Sequence, residues 1–225
     1  MEQKHAKFER LLARCRELAP APTAVAHPCD ESSLRGAVEA AEKGIIQPIL
    51  VGPRSKIESV AREFGLDIAP YEIVDADHSH SAAERAVQLV HEGRAELLMK
   101  GSLHTDELMA AVVRSGTGLR TNRRISHCFI MDVPNLDRAI FVTDAAINIF
   151  PTMEDKMHII QNAIDLAHSL GMEKPKVAIL SAMETINPKL QSTIEAGALC
   201  KMADRGQITG GVLDGPLALD NAIDL

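Results

Sequence analysis

Lys100 stands at the end of an apolar run, Leu97 to Met99, and opens the polar stretch Gly-Ser-Leu-His-Thr-Asp-Glu-Leu. The run has the character of a buried strand end. Thr105 occupies an N-cap position, with Asp106 and Glu107 in the first helical turn. A strand passing through a short polar loop into a helix is where open α/β sheets place ligands. Lys100 offers charge to an anion, Gly101 lets the backbone come close, and Ser102 offers a hydroxyl and an N–H. Asp106 and Glu107 already oppose the positive helix end, so an anion belongs beside Lys100 and not on the helix axis. The stretch lacks GxxxxGK[ST] and is not a P-loop. A capped helix with a snorkelling lysine uses the same residues.

Arg120, Arg123 and Arg124, with Ser126 just beyond, form a second constellation. Arginine makes bidentate contacts with phosphates, and a polyphosphate ligand suits such a cluster. A solvated turn is the plainer account. Arg120, after Gly118-Leu119, is the preferred member, because Arg123 and Arg124 face opposite ways once a strand has begun. A third group is Asp144 and Asn148 in DAAIN, with Pro151 beyond. A carboxylate and an amide past a strand end can orient a carbonyl or hydroxyl, although both are ordinary turn formers. Asp214-Gly215-Pro216, with Asp220 one turn further, repeats that arrangement.

Asp75, Asp77, His78 and His80 have metal-like composition, but spacing supplies no further ligand, and no metal site is expected. His104 and His127 adjoin the better constellations without an orienting carboxylate in sequence. Cys128 reads as a core residue, since an apolar setting raises a thiol pKa.

The elements that must position these residues alternate. Helical spacing covers Phe8 to Cys15, ended by Pro20 and Pro22, and Thr23 to Ala26 is a short strand. A helix capped by Asp30 or Ser32 follows, then a strand over Ile45 to Val51 interrupted by Pro48, and a helix over Ile57 to Phe64. Tyr71 to Val74 is a strand, and Ser81 with Glu84 makes a capping box. After the helix from Thr105 to Arg114, Ile125 to Val133 reads as a strand ending at Pro134. Beyond Pro134-Asn135 come a strand at Ala139 to Thr143 and a helix boxed by Thr152 and Asp155. Strands at Lys176 to Leu180 and Ile208 to Leu213 follow, with helices opened by Pro188 and Pro216, the last running to Leu225. This alternation predicts an α/β architecture with a largely parallel sheet, divided into residues 1–134 and 135–225.

Composition narrows the function. A net charge of −7 and scarce aromatics argue against nucleic-acid binding. Cys15, Cys29, Cys128 and Cys200 form no CxxC pair, so neither structural zinc nor a disulfide framework is expected. No apolar run approaches a membrane span and the N-terminus has no apolar core of a signal, so a cytoplasmic protein is expected.

The segments LLMKGSLHTDEL (97–108), RTNRRISHCFIMDVP (120–134), TDAAINIFPT (143–152) and VLDGPLALDNAI (212–223) jointly resemble the phosphate acetyl/butyryltransferase family, in its order and spacing. The resemblance looks closest to the butyryl-type branch, including the transferase part of fusions with an enoyl-CoA hydratase domain; no hydratase part is present. It implies a two-domain α/β/α fold like that of isocitrate and isopropylmalate dehydrogenases, usually dimeric, with the site in the interdomain cleft. It implies reversible acyl transfer between coenzyme A, a substrate and not a cofactor, and inorganic phosphate. Arg120 and Ser126 match the family's phosphate-side residues. Lys100, Gly101, Ser102 and Thr105 line the same cleft, and Asn148 and Pro151 match the substrate wall, with Asp214 in the last motif.

The resemblance further implies a Ser-Arg motif followed by an aspartate proposed as thiol base, with a Gly-Asn element before it. The chain carries neither, so the base is expected beyond Leu225 and the second domain is expected to be incomplete. A hydroxy-acid dehydrogenase of the related fold is disfavoured because no GxGxxG follows a strand. A non-catalytic module binding coenzyme A or a phosphorylated ligand is the remaining alternative.

Overall fold

Residues 6–134 and 136–223 are described by the computed structural model, which divides between Thr121 and Asn122 into two units. In the first, α1 (Ala6–Cys15), β1 (Ala21–Ala26), α2 (Glu31–Glu42), β2 (Ile46–Gly52), α3 (Arg54–Phe64), β3 (Glu72–Asp75), α4 (Ser79–His91), β4 (Leu97–Lys100) and α5 (Thr105–Val112) follow in turn. The four strands are parallel, in the order β3-β2-β1-β4.

Strand periodicity explains the layering. Ala24, Ala26, Ile49 and Val51 pack with Ala82, Ala86 and Leu89 of α4 and Leu108 and Ala111 of α5. Val25 and Leu50, between them in sequence, pack on the opposite face with Leu34 and Ala37 of α2 and Ile57 and Ala61 of α3. A sheet covered on both faces needs apolar residues at successive positions, and β1 and β2 supply them. The chain winds from β1 outward to β3, then returns through α4 to place β4 on the other side of β1. The carboxyl ends of β1 and β4 therefore flank the point where the winding reverses.

Several sequence expectations shift here. Pro48 does not interrupt β2; it pairs opposite Thr23 of β1, while β3 meets β2 only from Ile49 to Gly52. A residue without an N–H is tolerated where the strand has a neighbour on one side only. The cap of α4 is His78, not Ser81. The His78 Nδ1 accepts from the Ser81 N–H at 3.2 Å, and the Ser81 hydroxyl oxygen accepts from the His78 N–H at 3.0 Å. Thr105 is the first residue of α5, whose N-cap is His104 without a side-chain bond.

The second unit contains β5 (Phe129–Met131), β6 (Ile140–Val142), α6 (Met153–Ser169), β7 (Lys176–Leu180), α7 (Gln191–Asp204), β8 (Val212–Leu217) and α8 (Leu219–Ile223). The pair β5-β6 is antiparallel and the pair β7-β8 is parallel. Because β5 pairs with β6, residues 122–134 go with the second unit, whereas the sequence reading closes the first domain at Pro134. Asn135, at that expected boundary, lies outside the described residues, as do 224 and 225 at the expected end of the last helix. Thr152 and Asp155 do form a reciprocal capping box for α6. Pro216 lies within β8 and not at a helix start, with Gly215 and Pro216 accommodated by a shift in register against β7. Pro188 precedes α7 by three residues. Ile160, Ile164, Leu199 and Ile208 make this unit's core.

Candidate functional site

In the first unit, Gly101 N–H donates to the Ala26 carbonyl and Ser102 N–H to the His27 carbonyl, both at 2.8 Å. A Cβ on Gly101 would lie 2.4 Å from the Ala26 oxygen and 2.6 Å from that of His27, so only glycine permits this approach. His27 has a left-handed backbone, φ 55°, and its carbonyl also accepts from the Ser102 hydroxyl at 2.9 Å. The Ser102 oxygen in turn accepts from the Cys29 N–H at 3.1 Å. Ser102 thus stitches the loop after β4 to the loop after β1. The His27 Nδ1 lies 3.0 Å from the Ser102 carbonyl, which can only accept, so this nitrogen carries the proton.

Lys100 Nζ donates to the carbonyls of Gly101, at 3.1 Å, and Leu103, at 2.8 Å, tying down its own loop. Asp30 caps α2, and the Ser33 hydroxyl and N–H hold its carboxyl below the usual carboxylate range, with the charges of Lys100 and His27 acting in the same direction. Burial pushes the Cys29 thiol up to about 11, which removes it as a thiolate nucleophile. Arg120 is exposed, without a hydrogen-bonding or ionic partner among the described residues.

In the second unit the arginine segment is pinned to α6 and to the turn at 144–148. The Arg124 Nε donates to Asn148 Oδ1 at 2.8 Å and lies 3.6 Å from Asp155, and the Arg124 N–H donates to His158 Nδ1 at 3.1 Å. Arg123 turns elsewhere, to Asn162 and Asp165. The Asn148 amide hydrogens are both engaged, one on the Ile125 carbonyl at 2.9 Å and one on Asp144 at 2.6 Å. Burial works against a charge on Asp144. The N–H groups of Ile147 and Ala146 and the Asn148 amide outweigh it, lowering the carboxyl to about 2. Ser126 is half-buried and accepts from Asn162 Nδ2 at 2.9 Å. Pro151 leads into the α6 cap, and Asp214 is exposed, accepting from the Gly215 N–H. Burial raises the Cys128 thiol. Among the described residues no group of three or more His, Cys, Asp or Glu could hold a metal ion, and no helix is long and apolar enough to cross a membrane.

The family model described as Phosphate acetyl/butaryl transferase matches residues 81–225. The chain is 66% identical, over 97% of its length, to phosphate acetyltransferase of Rhizobium meliloti. The chain belongs to the phosphate acetyl/butyryl transferase family. It is also 44% identical over 96% of its length to phosphate butyryltransferase of Clostridium beijerinckii. A crystal structure of a branched-chain phosphotransacylase from Enterococcus faecalis V583 superposes with a TM-score of 0.73 at 28% identity, covering 89% of this chain and 69% of that one. The chain spans roughly two thirds of the curated relatives' lengths, 69% of the Rhizobium protein, 72% of the Clostridium protein and as little as 62% of a Rickettsia prowazekii phosphate acetyltransferase.

Membership in the acetyl/butyryl transferase family speaks for a transferase and lends nothing to the dehydrogenase or binding-module readings. The geometry adds residues that spacing had passed over. His158, Asn162 and Asp165 recur at intervals of three and four along α6 from the capping residue Asp155, opposite buried Ile160, Ile164 and Ala167. The apolar face announces the helix; the polar stripe behind it, which holds the arginine segment, was legible at the same periodicity. His27 had no comparable signal, since its role depends on a pairing of β1 with β4 across 75 positions.

Proposed function

We propose that this chain is an acyltransferase moving acetyl- or butyryl-class groups reversibly between coenzyme A and inorganic phosphate. The 66% identity to a phosphate acetyltransferase over nearly the whole chain carries this reading. The coenzyme A thiol gives its proton to a base in the solvent, and the thiolate sulfur attacks the carbonyl carbon of the acyl phosphate. A sulfur–carbon bond forms, the carbon–oxygen bond to phosphate breaks, and phosphate departs with the electron pair. Charge develops on the carbonyl oxygen and on the leaving phosphate, so hydroxyl and cationic donors are what the reaction needs.

In this reading Arg120 and Ser126 serve the phosphate. Lys100, Gly101, Ser102 and Thr105 are further substrate-binding positions, with Pro151 and Asp214. Asn148 acts through the segment it braces. The Lys100 ammonium has two of its three hydrogens on loop carbonyls, which leaves one donor for a ligand. The protein is a cytoplasmic homodimer with no resident cofactor and no metal.

Adding acetyl or butyryl phosphate and coenzyme A to the purified chain, and following loss of free thiol, tests the proposal. Thioester formation that requires the chain is the expected result. Calorimetric binding of coenzyme A without any turnover would put a binding module in its place.

A further inference from the structure

The orientation of the Asn162 side chain is decided from both ends. Its Oδ1 faces Arg123 Nη1 at 3.1 Å, and a guanidinium only donates, so that atom is the carbonyl oxygen. Its Nδ2 faces the Arg124 carbonyl at 2.9 Å, and a carbonyl only accepts, so that atom is the amide nitrogen. The same nitrogen lies 2.9 Å from Ser126 Oγ. An amide NH2 has no lone pair to offer, so the serine oxygen accepts in this bond and its own proton is turned elsewhere. Among the described residues that proton reaches no acceptor.

Behind the amide the chain of polarisation continues. Arg123 Nη1 also donates to Asp165 Oδ2 at 3.0 Å, and Gln161 Nε2 donates to Asp165 Oδ1 at 2.9 Å. The cation drawn to Asn162 Oδ1 makes its amide hydrogens better donors, and the bonds reinforce one another in series. A serine held only by its rotamer would be free to spend its proton on a nearby carbonyl.

We propose that Asn162 is a positioning residue that holds the Ser126 oxygen as an acceptor, leaving its hydroxyl proton to bond a phosphate oxygen of the acyl phosphate. This rests on the acyltransferase reading of Ser126 and adds to it a residue outside the four motifs that carry the family likeness.

Asn162→Asp is the informative variant. It keeps the shape and still accepts from Arg123, but it replaces the donor beside Ser126 with an acceptor that draws the serine proton inward. With a hydrogen bond to a charged oxygen at stake, affinity for acetyl phosphate falls by about tenfold or more. Affinity for coenzyme A stays near that of the unaltered chain, while the thermal midpoint falls modestly because the Arg124 carbonyl loses its donor. Ser126→Ala gives a similar loss, and the double variant is no worse than Ser126→Ala alone, because Asn162 acts through the serine. Calorimetry with acetyl phosphate and with coenzyme A reads binding, and the thiol assay reads the KM for each. Unchanged acetyl phosphate affinity in Asn162→Asp, or losses that multiply in the double variant, overturn the proposal while leaving the acyltransferase reading intact. An unaltered chain that binds neither substrate and shows no turnover overturns both.

Discussion

Asp144 collects the Ala146 and Ile147 N–H groups at 2.9 Å, the Asn148 N–H at 3.2 Å and the Asn148 amide at 2.6 Å. These donors favour the carboxylate over the acid and bring its pKa from an ordinary 3.8 to about 2. A depressed acid stabilises the folded state wherever the unfolded group would be ionised, and that contribution is lost as pH falls through the folded value. Asp144→Asn should therefore unfold at lower urea than the unaltered chain near neutrality. The difference should shrink between about pH 5 and about pH 2. Urea midpoints of both proteins across that range check the sign. A difference that stays constant with pH would show that the charge of Asp144 is not its source.

At the scale of elements, α6 is the part on which both the candidate site and the sequence reading lean. Thr152 accepts from the Asp155 N–H at 3.2 Å, and Asp155 accepts from the Thr152 N–H at 3.0 Å. Thr152→Ala removes one half of this box and should cost about 1 kcal/mol of stability, read from urea unfolding. Because α6 carries His158 and Asn162, the same change should loosen the Arg124–Ser126 segment; solvent exchange of the Arg124 N–H reports it. That box was legible in the sequence, as were the strands β1 and β7, because each depends on neighbours a few residues apart. The start of α4 and the place of Pro216 were not. His78 caps through a ring nitrogen where a hydroxyl or carboxylate is the usual signal. Pro216 sits in a strand because β8 sets two residues, Gly215 and Pro216, against the single Ile179 of β7. The candidate site was legible only as types of residue. Lys100, Ser102 and Asn148 were singled out, but that Ser102 and Asn148 spend bonds on bracing other loops follows from pairings remote in sequence, while Lys100 turns back on its own loop.

For the whole molecule, charge poses a question that residues alone do not. The chain carries a net −7, while acyl phosphate and coenzyme A are anions. One unit charge roughly 20 Å away in water contributes only about 0.2 kcal/mol, and a Debye length of about 8 Å at physiological salt reduces it several-fold further. A guanidinium within about 4 Å of a phosphate is worth about 1 kcal/mol in water and about 4 kcal/mol at the effective dielectric of a protein surface. Local cations therefore outweigh the global repulsion once salt approaches physiological levels. The acyltransferase reading then predicts that the dissociation constant for acetyl phosphate rises as potassium chloride is raised from low to high concentration, since screening weakens the local attraction. Arg120→Ala should both weaken binding and flatten that dependence, because Arg120 is exposed and unpaired among the described residues. Binding that tightens with salt would mean that the net negative field governs the encounter and that the arginines do not face the substrate.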